Sequence, residues 1–139
     1  MFENAQLRAT IAVSLGAIAG ALCRHYLIQE VTQAFGATFP WGTLGVNLSG
    51  CFLLGLLTTL ATYRWPVRPE VWLMLTTGFL GSYTTFSAYE LDIASLIDRP
   101  GLIPDLAYWL SSPLLGLASL GVGIGAAKAI RPPQPGDRQ

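Results

Sequence analysis

Apolar residues dominate four stretches of the chain, near 9–28, 42–63, 71–97 and 104–128, and polar or proline-containing links separate them. A helix of roughly 20 apolar residues spans the hydrocarbon core of a bilayer. The pattern therefore predicts an all-α membrane protein, with four transmembrane helices in a single domain over 1–130. The first stretch is rich in alanine and glycine and ends in GALCRHY, where Arg24, His25 and Tyr26 fall within one turn. An arginine there either snorkels to the headgroups or faces a water-filled entrance. A link through Gln33, Phe35 and Gly36 leads to Pro40 and Trp41, a proline and an aromatic anchor that mark a helix start at the interface. Pro66 and Pro69 fix the turn RWPVRPE, with Trp65 at the boundary. The tail from Arg131 to Gln139 is polar, proline-rich and expected to be disordered.

The third stretch departs from a plain membrane helix. Val71 to Tyr89 carries no charge, yet GFLGSYTTFS at 78–87 places two glycines and four serines and threonines, Ser82, Thr84, Thr85 and Ser87, at bilayer depth. Small residues also serve helix packing in membranes. A break is the sharper expectation, and backbone groups that leave helical geometry in hydrocarbon must be satisfied by protein, water or an ion. Freed carbonyls at such breaks commonly hold cations. Phe86 and Tyr89, three apart and on one helix face, stand beside the expected break.

Small and polar residues also mark the second and fourth stretches. In GTLGVNLSG, Thr43 and Asn47 lie four apart on one face, while Gly42, Gly45 and Gly50 suggest close approach of another helix. Asn47 is costly in a membrane unless a neighbouring helix, water or a permeating ion satisfies its amide. The fourth stretch carries Ser111, Ser112, Pro113 and Ser119, and its later part GLASLGVGIGAA is a small-residue packing surface.

Composition narrows the class further. Only 12% of the 139 residues are charged, against about 25% in soluble domains, and 52% are hydrophobic. Eight basic and eight acidic residues give a formal net charge of zero, with no basic run to suggest a nucleic-acid partner. Cys23 and Cys51 fit no metal spacing and read as buried free thiols. Nothing resembling a cleavage site closes the first stretch, which is expected to stay in place. The single histidine, His25, lies in a different segment from every polar cluster, and no phosphate loop or metal motif is present, so no enzyme is indicated. Four short helices also suit a small proton-coupled multidrug-type exporter. That chemistry needs a membrane-embedded carboxylate, whereas Glu90 and Asp92 lie toward a helix end, on different faces, and read as interfacial.

What remains is an uncharged polar track of Thr43, Asn47, Ser87 and Ser112 with aromatic edges. Hydroxyl and amide groups donate to anions, and the positive edge of an aromatic ring can face an anion that has lost water. Such a track conducts if binding offsets dehydration without trapping the ion. A small anion fits.

Taken together, GALCRHY, GTLGVNLSG and GFLGSYTTFS, in this order and spacing, closely resemble the Fluc, or CrcB, fluoride channels, over nearly everything between Ala9 and Ala127. The resemblance implies passive fluoride efflux that protects a cell from fluoride, across the inner (plasma) membrane. It further implies an antiparallel dual-topology homodimer with two pores and a central structural sodium ion, held by the backbone carbonyls of Gly81 and Thr84 from each subunit. Phe86 matches a pore phenylalanine of the family, Asn47 its pore asparagine, Arg24 its vestibule arginine, and Thr43 and Ser87 polar positions along the path. Ser112 resembles a fourth-helix pore serine. Two positions depart from the family pattern: Tyr89 stands where a second phenylalanine is usual, and Asp92 where a glutamate is common.

The charge distribution bears on orientation. An even number of crossings puts Arg8, Arg64, Arg68, Lys128, Arg131 and Arg138 on one side and Arg24 and Arg99 on the other. That bias predicts both termini inside. An antiparallel homodimer needs both orientations, so either the tail exerts little control over insertion or the chain pairs with an oppositely biased related subunit.

Overall fold

The computed structural model describes residues 2–62, 67–97 and 102–130, with side chains described over 4–62, 67–97 and 107–130. Arg64, Trp65 and Pro66 of the second link, Asp98, Arg99, Pro100 and Gly101 of the third, and the tail 131–139 lie outside these residues. Helix α1 covers Phe2–Phe35 and α2 covers Trp41–Thr62. The third stretch is divided into α3 (Pro69–Leu73), a π-helical run (Met74–Leu80), α4 (Gly81–Tyr83) and α5 (Phe86–Ile97), and α6 covers Leu102–Ile130. Among the described residues every regular element is helical. Three spans, Asn4–Phe35, Trp41–Thr62 and Ala107–Ile130, are long and apolar enough to cross a membrane.

Helix α1 runs well beyond the 9–28 window of its apolar residues. Its 34 residues reach about 50 Å, longer than the roughly 30 Å hydrocarbon core, so the helix continues through polar residues at both ends. Gln33 and Phe35, expected in a link, belong to its last turn. Gly36 ends it: φ is +82°, the left-handed conformation that glycine adopts without a Cβ penalty, and its N–H bonds the Thr32 carbonyl at 2.9 Å. Pro69, expected in a turn, instead opens α3, where its missing N–H costs nothing.

Without a hydrophobic driving force between helices in lipid, close backbone packing holds such a bundle together. Helix α1 packs against the π-helical run and α2 along α6. A Cβ at Gly16 would run into the Met74 carbonyl, and one at Gly20 into that of Phe79. Gly55 and Gly123 face the Leu120 and Phe52 carbonyls in the same way. The packing expectation for the second stretch holds at Gly42, against Ile28, and at Gly50, against Thr84, while a Cβ at Gly45 would meet nothing within 4 Å. The cysteines are not buried. Cys23 is exposed and Cys51 is half-buried.

Candidate functional site

The third stretch changes course at two residues. Thr84 is extended (φ −74°, ψ 155°), and both its N–H (3.0 Å) and its hydroxyl (2.9 Å) donate to the Leu80 carbonyl. The next residue, Thr85, is held from α2. Asn47 donates its Nδ2–H to the Thr85 carbonyl at 2.9 Å, and its Oδ1 accepts the Thr85 N–H at 2.8 Å. One side-chain amide thus satisfies both backbone groups of a residue that has left the helix, which is the requirement set by a low-dielectric surrounding. Thr85 then serves as N-cap of α5, its Oγ1 accepting the Ala88 N–H at 3.1 Å. On the α4 side, the Tyr83 and Ser49 hydroxyls lie 2.8 Å apart, a second tie to α2.

These bonds account for two of the carbonyls left over at the end of α4. In a continuous helix the Thr85 N–H would serve the Gly81 carbonyl, and the Ala88 N–H that of Thr84. The first is diverted to Asn47 and the second to the Thr85 hydroxyl. Gly81 and Thr84 therefore carry carbonyl oxygens without their helical donors, at the end of a half-helix where the dipole is negative. Oxygen ligands of this kind suit a hard alkali cation. Gly81 is exposed and Thr84 half-buried.

On the other side of the break lies an open groove of about 480 Å³, lined by Asn47, Thr85, Phe86, Tyr89, Ser112 and Pro113 among others. None of the described residues lining it is charged. Ser112 is only 7% exposed, and its hydroxyl has no hydrogen-bond partner among the described residues. Asn47 uses one of its two N–H groups on Thr85 and keeps the other. Phe86 is 74% exposed at the start of α5, with its ring centroid 5.6 Å from that of Tyr89. Tyr89 is 7% exposed, and its hydroxyl donates to the Trp109 carbonyl at 2.7 Å.

The remaining residues singled out from the sequence lie elsewhere. Thr43, 4% exposed and without a hydrogen-bond partner among the described residues, lines a second cavity of about 160 Å³ together with Ile28, Thr32, Asp92 and Ser95. Asp92 accepts a long hydrogen bond, 3.4 Å, from the Tyr108 hydroxyl. Arg24 lines neither cavity. It is half-buried on α1, one turn before Ile28 on the same face, and makes no ion pair among the described residues. Ser87 is exposed on the first turn of α5, its Oγ 3.3 Å from the Thr85 Oγ1.

Residues 11–124 match the family model described as CrcB-like protein, Camphor Resistance (CrcB). The chain belongs to the CrcB family. Among relatives of this CrcB chain, a protein of Trichormus variabilis named fluoride-specific ion channel FluC is 46% identical over 125 residues, which is 89% of this chain and 91% of the relative. A protein of the same name from Synechococcus sp. is 47% identical, covering 90% and 96% of the two chains. One from Rhizobium leguminosarum is 38% identical, covering 86% and 96%. With its apolar spans, the CrcB chain is a multi-pass membrane protein.

Three further residues of the CrcB chain carry site geometry. Thr85 had a signal, since a threonine followed by a helical run is a favoured N-cap. Tyr108, 1% exposed, lies with its ring 5.5 Å from that of Tyr89 and packs edge-to-face with Phe39 at 5.3 Å, and only the fold brings these segments together. Pro113 lines the groove, which nothing in its own stretch signals.

Proposed function

We propose that this chain forms a fluoride-selective channel giving passive efflux and protection from fluoride. The supporting observation is the uncharged groove beside the break, where the Ser112 hydroxyl, the free N–H of Asn47 and the rings of Phe86 and Tyr89 converge. Donors replace water around a small anion, ring edges face it in the dry section, and the lack of a fixed cation avoids a trap. The names of the relatives support fluoride as the anion. On this reading Thr43, in the separate cavity that it shares with Asp92, belongs to the path beyond the groove, and Arg24 concentrates anions at the entrance. Among its described lining residues the groove lacks the carboxylate that proton-coupled export of a cationic drug requires.

The assembly follows from the same reading. Four crossings with a broken third, paired antiparallel with a second copy, give two pores and close the open side of the groove. At the centre, the carbonyls of Gly81 and Thr84 of each copy would hold a structural sodium ion, which pins the two breaks together and carries out no step of conduction. Fluoride enters a cell as neutral acid, ionises in the less acidic cytoplasm and is driven out by the inside-negative potential, worth about 2.3 kcal/mol per charge per 100 mV. No fuel is required.

Two experiments test this. Purified protein in liposomes, followed by fluoride and chloride electrodes under the same potential, is expected to release fluoride rapidly and chloride not at all. Equal release of both anions, or of neither by folded protein, counts against the reading. A reporter fused to the C-terminus, in cells without a related subunit, is expected to signal on both sides of the membrane, and signal on one side alone would favour an oppositely biased partner.

A further inference from the structure

The Tyr89 hydroxyl donates to the Trp109 carbonyl at 2.7 Å, and residue 113, four positions on, is a proline inside α6. In an α-helix the carbonyl of residue 109 receives the N–H of residue 113, and proline has none. Helix α6 nevertheless continues without interruption from Leu102 to Ile130. Lipid offers no donor to an orphan carbonyl, so such a gap in a membrane helix must be filled from within the protein. Tyr89 comes from α5, is 7% exposed, and lines the same groove as Pro113. Phenylalanine at position 89 would place the same ring there and leave the carbonyl unpaired.

We infer that Tyr89 and Pro113 form one unit: the Tyr89 hydroxyl supplies the hydrogen bond that Pro113 withholds from Trp109, and that bond fixes the Tyr89 ring in the groove wall beside Phe86. The hydroxyl is thereby spent on α6 instead of standing free in the path, and Pro113 acts as a positioning residue through Tyr89. Placing the ring in an ion path rests on the proposed channel function; the hydrogen-bond compensation does not.

The test is a double-mutant cycle on the full chain, comparing wild type, Tyr89→Phe, Pro113→Ala and the double variant. Unfolding midpoints in detergent and the fluoride-to-chloride flux ratio in liposomes are both read. Tyr89→Phe is expected to lower the midpoint by about 3–6 °C, the size of one lost buried hydrogen bond in a domain of this length. In the Pro113→Ala background the new backbone N–H serves Trp109, and the same substitution is expected to cost nothing. The flux ratio should fall in Tyr89→Phe and stay low in the double variant, where no hydroxyl is left to fix the ring. Equal midpoint losses in both backgrounds would overturn the inference. The midpoints are read without any ion, so coupling in a protein that passes no fluoride supports the unit while removing the channel function. Fluoride flux with additive midpoints does the reverse.

Discussion

Replacing Asn47 with alanine is expected to cost about 2–6 kcal/mol of stability, because it strips partners from two backbone groups of Thr85, each worth about 1–3 kcal/mol when buried and unpaired. Part of that loss can be recovered only if the Thr85 N–H returns to the Gly81 carbonyl, which closes the break from one side. The variant therefore loses either fold or break. Asn47→Asp separates the two bonds: a carboxylate still accepts the Thr85 N–H but has no N–H for the Thr85 carbonyl, and it brings a negative charge into the groove. Fluoride flux is expected to fall to background in both variants, with the unfolding midpoint lowered most in the alanine one. An Asn47→Ala protein that melts and conducts as wild type would show that Asn47 does not hold the break.

The second large effect is expected at Phe86, and it separates function from folding. With 74% of the residue exposed in the single chain, Phe86 contributes little to the fold of α5. Isoleucine keeps its apolar bulk but has no ring edge to present to a desolvated anion. Phe86→Ile is expected to reduce fluoride flux to the leak of empty liposomes, with the unfolding midpoint and the assembly state unchanged. Retained wild-type flux would remove Phe86 from the pore. The pair of variants thus contrasts a residue whose work is holding backbone with one whose work is facing the ion.

Much of the architecture is legible in the chain because the bilayer imposes a length and a polarity on every span. Pro40 with Trp41 marked the start of α2, one residue from the edge of the apolar window, since a proline and an interfacial aromatic have few other uses there. The apolar windows placed α1 poorly. Hydropathy reports the hydrocarbon core, whereas the helix runs on through polar residues until Gly36 supplies a conformation that ends it. The small and hydroxyl residues of GFLGSYTTFS marked where the third stretch is weak, because they are the residues that tolerate or stabilise departure from a helix.

The sequence by itself determined the three long apolar spans and the weak point in the third stretch, because each is a property of neighbouring residues. Tertiary structure alone decided the partners. Asn47 lies 38 residues from Thr85, and only helix packing reveals that its amide goes first to backbone and keeps one N–H for the groove. The glycine-to-carbonyl contacts between α1 and the π-helical run, and between α2 and α6, bring these distant segments close enough for such bonds to form. The same packing turned Tyr89 from an aromatic with a spare hydroxyl into the donor for a carbonyl that Pro113 leaves open. Hydrogen-bond satisfaction in hydrocarbon is a property of the whole bundle, and no stretch of the chain read alone contains it.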